Sequence, residues 1–260
     1  MANVLEIRNL SVEVFESGVS KKIINDVTFN VGEHGVTALV GGSGSGKTTT
    51  GLAVMRLLGP GLSITKGEII LAENNVLGLS KDAMRRIRGG VVSMVFQEPL
   101  DAFNPVFTIG YQIDEMIKFH SDLSVHQRKE KIHHLLEQVG LENPPQVAGS
   151  YPHQLSGGMR QRAMIAQAIA AGPRLIIADE PTSNLDVTLQ ARIIELFEKL
   201  KDELKLSILL ITHDLGLVEH FADHVVVMSA GKVVEAKPCV QLIEQAEHEY
   251  TKKLLGAFRV

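Results

Sequence analysis

The run Gly41-Gly42-Ser43-Gly44-Ser45-Gly46-Lys47-Thr48 places four glycines, a lysine and three hydroxyls within eight positions. That composition suits a polyphosphate. Glycine lets the backbone curl until several N–H groups point inward at the β- and γ-phosphates, and a helix starting at the end of the run adds the positive end of its dipole. Lys47 supplies a point charge, Thr48 a hydroxyl for Mg²⁺, and Thr49 stands beside them at the helix start. The same residues in isolation would make a flexible glycine-rich turn. The apolar segment from Gly35 to Val40 before them and the helical pattern after them provide the strand-loop-helix setting that a phosphate loop requires.

A second chemical group closes the apolar run Leu175-Ile176-Ile177-Ala178 with Asp179 and Glu180. Successive side chains of an extended chain point to opposite faces, so both carboxylates serve one reaction only if the chain turns there, and Pro181 favours a turn. The resulting division directs Asp179 toward Mg²⁺ and makes Glu180 the base that polarises an attacking water. In Leu155-Ser156-Gly157-Gly158-Met159-Arg160-Gln161-Arg162 a serine and two glycines open a helix, which is a second anion-binding arrangement. The same residues also read as an ordinary helix with Ser156 as its N-cap.

The elements that must position these groups alternate. Val4–Leu10, Ser11–Phe15 and Ile23–Val31 are predicted as antiparallel strands, with a turn containing Gly18 between the second and third. The helix after the phosphate loop is predicted over Thr48–Leu58, stopped by Gly59-Pro60-Gly61, and a β segment follows at Gly67–Leu71. Val91–Phe96 is a buried strand, and helical patterning runs from Ile109 to Gly140. Met159–Ala171 and Thr188–Lys205 are helices, and Leu175–Ala178 and Ser207–Ile211 are strands. Such alternation implies a mostly parallel sheet with its chemistry at the carboxyl edge. The expected organisation is an ATP-binding core with its antiparallel β part over residues 1–97 and 159–240, an inserted helical subdomain over 98–158, and a C-terminal tail over 241–260.

Composition narrows the setting. Twenty-six basic and 30 acidic residues give a net charge of −4, which provides no broad footprint for nucleic acid. Cys239 is the single cysteine, so neither an intrachain disulfide nor a cysteine-rich metal site can form. No run of 18 apolar residues appears, so a membrane role requires a partner.

With the phosphate loop, the acidic strand end and the Leu155–Arg162 run in this order, the chain resembles the ATP-binding-cassette (ABC) family over nearly its whole length. The resemblance implies an α/β fold with a RecA-like phosphate-loop NTPase core, an N-terminal antiparallel β subdomain and an inserted α-helical subdomain. It also implies hydrolysis of ATP with Mg²⁺. Gln97 resembles the glutamine that senses metal and nucleotide and couples to the membrane subunit. Ser183-Asn184-Leu185-Asp186 resembles the D-loop, with Asn184 where alanine is more common. His213 resembles the switch histidine on the γ-phosphate. Taken alone, Gln97 and His213 are polar residues ending strands. Their register with the other motifs makes Gln97, Glu180 and His213 catalytic candidates, and Thr48, Gln97 and Asp179 metal candidates. Ser156, Gly157, Gly158 and Asp186 would complete the site of an opposing cassette. An upstream aromatic is expected to stack on adenine; Phe15 is the candidate, and the other reading of it is a core-facing strand aromatic.

Phe96-Gln97-Glu98-Pro99-Leu100-Asp101-Ala102-Phe103-Asn104-Pro105, Tyr151-Pro152-His153-Gln154 and His248-Glu249-Tyr250-Thr251-Lys252-Lys253-Leu254-Leu255 resemble the oligopeptide, dipeptide and nickel importers. Met159 after Gly158 is similar to the first of that subfamily's two ATPase subunits. The implied partners are a paralogous second ATPase, with a second copy of this chain as the alternative, two transmembrane permease subunits and, indirectly, an extracytoplasmic solute-binding protein, at the cytoplasmic face of the membrane and without nucleic acid. Many peptide importers continue into a cysteine-containing extension. This sequence stops at Val260, which favours the short members, including nickel and metallophore importers. The adjacent His133 and His134 diverge around a helix and read as a solvated face. The alternative function is an ABC ATPase that acts on nucleic acid or ribosomes instead of driving transport.

Overall fold

The computed structural model describes residues 2–16, 19–183 and 185–258. In chain order, β1 (Asn3–Glu16), β2 (Val19–Gly32), β3 (Val36–Val40), α1 (Lys47–Val54), β4 (Leu62–Leu71) and β5 (Asn74–Asn75) precede α2 (Lys81–Gly90). Next come β6 (Val92–Val95), α3 (Pro99–Ala102), α4 (Ile109–His120), α5 (Val125–Gln138), α6 (Pro144–Gly149), α7 (Gly157–Ile169), β7 (Leu175–Asp179) and α8 (Val187–Leu204). Then follow β8 (Ser207–Thr212), α9 (Leu215–Phe221), β9 (His224–Ser229), β10 (Lys232–Pro238), α10 (Cys239–Glu244) and α11 (Glu249–Phe258). The result is the expected mixed α/β fold with an antiparallel β part and a helical part. The chain divides into two compact units, Met1–Met84 with Lys205–Val260 and Arg85–Leu204.

In the first unit β3 lies between β8 and β9, parallel to both, and β10 runs antiparallel to β9. All five residues of β3 and all six of β8 are buried, as befits strands covered on both faces. A separate antiparallel sheet has the order β2-β1-β4-β5. The two short strands expected at the N-terminus are one 14-residue strand, β1. Its pairing with β2 shifts register between Ile7 and Leu10 and again between Leu10 and Val12, around Asn9 at φ 49°. A bulge of this kind breaks the inside-outside alternation that marks a strand in sequence, so one strand reads as two. The Gly18 turn lies outside the described residues.

The helix after the loop stops at Val54, short of the expected Leu58. Arg56 adopts φ 50°, and Leu57 N–H reaches back to the Leu52 carbonyl at 2.8 Å. This left-handed stop normally announces itself with glycine. Here an arginine takes it, and its guanidinium donates to the carbonyls of Val76 at 3.1 Å and Leu79 at 2.7 Å. β4 accordingly starts at Leu62, five residues before the expected Gly67.

In the second unit β6 and β7 are parallel, with Val95 opposite Ala178. The helical patterning after Ile109 resolves into α4 and α5, joined by Arg128 Nε on Asp114 Oδ1 at 2.7 Å. Ser124 and Gln127 form a capping box that starts α5. The stretch from 98 to 158 therefore holds α3 to α6 and the start of α7, all within this unit. The described part of 241–260 belongs to the first unit. There Leu242 and Leu255 join Ala38, Val40, Val225 and Val227 in a buried apolar cluster.

Candidate active site

Each unit delivers chemistry at the carboxyl ends of neighbouring parallel strands. In the first, Val40 of β3 is in register with Thr212 of β8, so the phosphate loop and His213 leave adjacent strand ends. The loop needs its glycines. A Cβ on Gly41 would lie 2.2 Å from the Met228 carbonyl oxygen, and Gly44 and Gly46 take φ 75° and 100°. Gly46 begins α1 in a left-handed conformation, and no side chain caps the helix. A helix start of this kind can turn its amides toward a ligand.

Lys47 is buried and folds back over the loop, donating to the Gly41 carbonyl at 2.8 Å and the Gly42 carbonyl at 3.1 Å. Ser45 Oγ is buried within the same loop with no hydrogen-bond partner among the described residues. An orphaned hydroxyl, amides at an uncapped helix start and an adjacent ammonium fit a phosphate group. Thr48 is exposed at the loop's end and Thr49 half-buried. On the far side of the loop, the Gly42 N–H donates to the Tyr250 hydroxyl of α11 at 2.8 Å. Phe15 sits at the end of β1 with 61% of its surface exposed, so it is not core-facing.

The second unit holds the acids. Asp179 ends β7 and is buried, whereas Glu180 is half-buried at φ 46°. The turn anticipated from Pro181 is present: Ser183 N–H reaches the Glu180 carbonyl at 3.1 Å and Ser183 Oγ reaches it at 2.9 Å. Left-handed backbone at a non-glycine residue costs energy, and such residues concentrate at functional sites. Gln97 lies two residues past Val95 of β6, exposed, next to the strand that carries the acids. Oxygen donors of the kind offered by Thr48, Gln97 and Asp179 suit Mg²⁺, a hard cation that takes few protein ligands and keeps phosphate and water for the rest.

Ser156 caps α7 by accepting from Met159 N–H at 3.3 Å. It borders a cleft of about 520 Å³ lined also by Gly157, Gly158, Asp186, Arg162 and Arg192. Arg162 and Arg192 bring two guanidinium groups to this cleft, and the carboxylates of Glu142 and Asp186 balance their charge. Arg162 fell within the motif read from sequence; Arg192 did not, because a lone arginine on a long helix carries no local signal. Asp186 is exposed and starts α8 by accepting from Leu189 N–H at 2.9 Å, while Asn184 lies outside the described residues.

The ABC transporter family matches residues 24–183. The oligopeptide transport ATP-binding protein OppD of Lactococcus lactis subsp. cremoris (strain SK11) is 47% identical over 253 residues, covering 97% of this chain and 75% of that protein. The peptidoglycan transport ATP-binding protein YejF of Agrobacterium fabrum (strain C58 / ATCC 33970) is 43% identical over 254 residues, 97% of this chain and 46% of that protein. Among solved structures, a dimeric post-hydrolysis state of the ATP-binding cassette MJ0796 bound to ADP and Pi superposes with a TM-score of 0.81. It is 26% identical and covers 90% of this chain and 98% of that one. A phosphate loop fit for a polyphosphate, acids at a neighbouring strand end of their own unit and a match across most of the sequence lead to one assignment: the chain belongs to the ABC transporter family and is an ATPase that uses ATP with Mg²⁺.

Proposed function

We propose that this chain powers the import of peptides through an ABC importer, as one of two ATPase subunits on two membrane-embedded permease subunits. The observation that carries the reading is the 47% identity to an oligopeptide transport ATP-binding protein over 97% of the chain. Nickel, the other cargo suggested by the subfamily resemblance, has no comparable support from the relatives described above. No helix among the described residues is long and apolar enough to cross a membrane, so the permeases must supply the channel. Stacked Phe107 and Tyr111, with ring centroids 4.6 Å apart, form with Val106 an exposed apolar patch of the second unit that suits contact with such a partner. The site of action is the cytoplasmic face, where ATP is available.

In this reading the amides of residues 41–48 and the Lys47 ammonium hold the phosphates of ATP, and Phe15 stacks on the adenine. Thr48, Gln97 and Asp179 hold Mg²⁺, which when bound offsets charge on the phosphate oxygens. Glu180 polarises the attacking water and His213 contacts the γ-phosphate. The Ser156–Gly158 helix start and Asp186 face the nucleotide of the paired cassette, so each chain contributes to two sites. The second ATPase subunit is a paralogue in this scheme, and a solute-binding protein outside the membrane delivers the cargo.

The experiment is reconstitution of the chain with its permeases, second ATPase and binding protein in liposomes, followed by ATP-dependent uptake of labelled peptides and of Ni²⁺. Peptide uptake that needs ATP is the expected result. Uptake of Ni²⁺ alone would overturn the cargo. Co-purification with ribosomes or DNA, with no permease association, would overturn the transport role.

A further inference from the structure

We infer that Tyr250 is a positioning residue for the phosphate loop, tying nucleotide affinity to the C-terminal helix α11. The inference rests on the reading of residues 41–48 as the phosphate site. The Gly41 carbonyl and the Gly42 N–H belong to one peptide unit. Lys47 Nζ holds its oxygen at 2.8 Å and the Tyr250 hydroxyl holds its N–H at 2.8 Å. A peptide between two glycines has no Cβ on either side to resist rotation, so it is the place where the loop flips most easily. Lys47 is also the group that a phosphate attracts away from its carbonyl contacts. Once it turns to the ligand, Tyr250 remains as a restraint on the plane of that peptide.

Tyr250 can play this part because α11 is itself held from two sides within the first unit. Leu255 is buried in the cluster around Val225 and Val227, with Tyr250 and Leu254 packed against it. Just ahead of the helix, the buried Glu235 of β10 accepts from the Glu247 N–H at 2.9 Å and the His248 N–H at 3.1 Å, and pairs with Lys237 at 3.1 Å. The fit between loop and hydroxyl is close: a Cβ on Gly42 would stand 3.1 Å from the Tyr250 oxygen. A loop pre-shaped in this way binds more tightly because less ordering remains to be done on binding.

The test titrates the full chain with ATP and with ADP in the presence of Mg²⁺, and measures ATPase kinetics in the assembled transporter. Tyr250→Phe removes one oxygen and keeps the ring. It should weaken both nucleotides and raise KM about three- to tenfold, the range of one neutral hydrogen bond, with kcat within about twofold. Linkage requires the converse as well: nucleotide should slow amide exchange across 249–258 in the wild type and do so less in Tyr250→Phe. Gly42→Ala should weaken binding by less in the Tyr250→Phe background than in the wild type, since the crowding oxygen is gone. Unchanged affinity in a folded Tyr250→Phe protein, with Lys47→Ala still abolishing binding, would overturn Tyr250's role and leave the phosphate loop in place. Unchanged affinity in Lys47→Ala as well would overturn both.

Discussion

Two helices of this protein present N-terminal amides in the company of glycines, and they are built on opposite plans. α1 starts at a left-handed Gly46 with no side-chain cap, after a loop whose buried Ser45 hydroxyl has no partner among the described residues. α7 starts at Ser156, whose own hydroxyl accepts from Met159 N–H at an exposed position. The first takes no cap from its own side chains and draws on surrounding structure, including Tyr250 and the elements that anchor α11, to keep its shape. The second carries its own cap. The difference matches the proposed division of labour: one helix start holds its own nucleotide continuously, and the other must stand ready in water until a partner brings one.

The largest expected effect separates these two roles. Ser156→Arg should reduce ATP hydrolysis in the assembled transporter by a factor of about 10² to 10³, the scale for removing a charge-stabilising contact, while binding of ATP to the isolated chain stays at the wild-type level. Loss of that binding would mean that α7 serves the chain's own nucleotide and the comparison fails. Gly41→Ala probes the other plan. A methyl 2.2 Å from the Met228 carbonyl must displace backbone, which should cost about 2–3 kcal/mol and lower ATP affinity in a titration by a comparable factor. Wild-type affinity in that variant would show the loop to be adaptable.

A smaller effect tests the outside support of α1. Burial would raise the Glu235 pKa, but the backbone N–H groups of Glu247 and His248 and the Lys237 ammonium overcome this and hold it at about 2, against an ordinary 4.5. The folded value is depressed, so the stabilisation is complete above about pH 4.5 and is lost as pH falls toward 2. Glu235→Gln should lower thermal stability by about 2 kcal/mol at neutral pH, and the gap to wild type should close in acid. A gap that persists at low pH would assign the effect to packing. The smallest change is Ser156→Ala, which removes a cap at a cost of about 1 kcal/mol in denaturant unfolding and leaves ATP binding to the isolated chain unaltered.

The contrast between the two helix starts also bears on what the sequence discloses. The phosphate loop, the acidic strand end with its turn and the Ser156 cap are local: a few adjacent residues determine the geometry, and the structure shows each of these local geometries. The single long β1 and the early end of α1 are hidden for related reasons. Asn9 and Arg56 both take left-handed backbone without the glycine that usually signals it, and both are held by hydrogen bonds to residues distant in sequence, at Thr28 for one and at Val76 and Leu79 for the other. Elements after Ile211 carried signals that sequence reading passed over. Asp214 caps α9 by accepting from the Gly216 and Leu217 amides, and Gly231 turns β9 into β10 at φ 76°. The contact of Tyr250 with Gly42 spans 208 positions, and no local pattern encodes it.

Glu180 carries a further consequence through its φ of 46°. A glutamate in that conformation sacrifices about 1 kcal/mol that glycine would recover. Glycine would also delete the carboxylate on which the proposed chemistry depends. A screen of variants by yield or melting temperature would therefore favour an inert chain over the working one, and sturdiness and turnover select for different residues at this position.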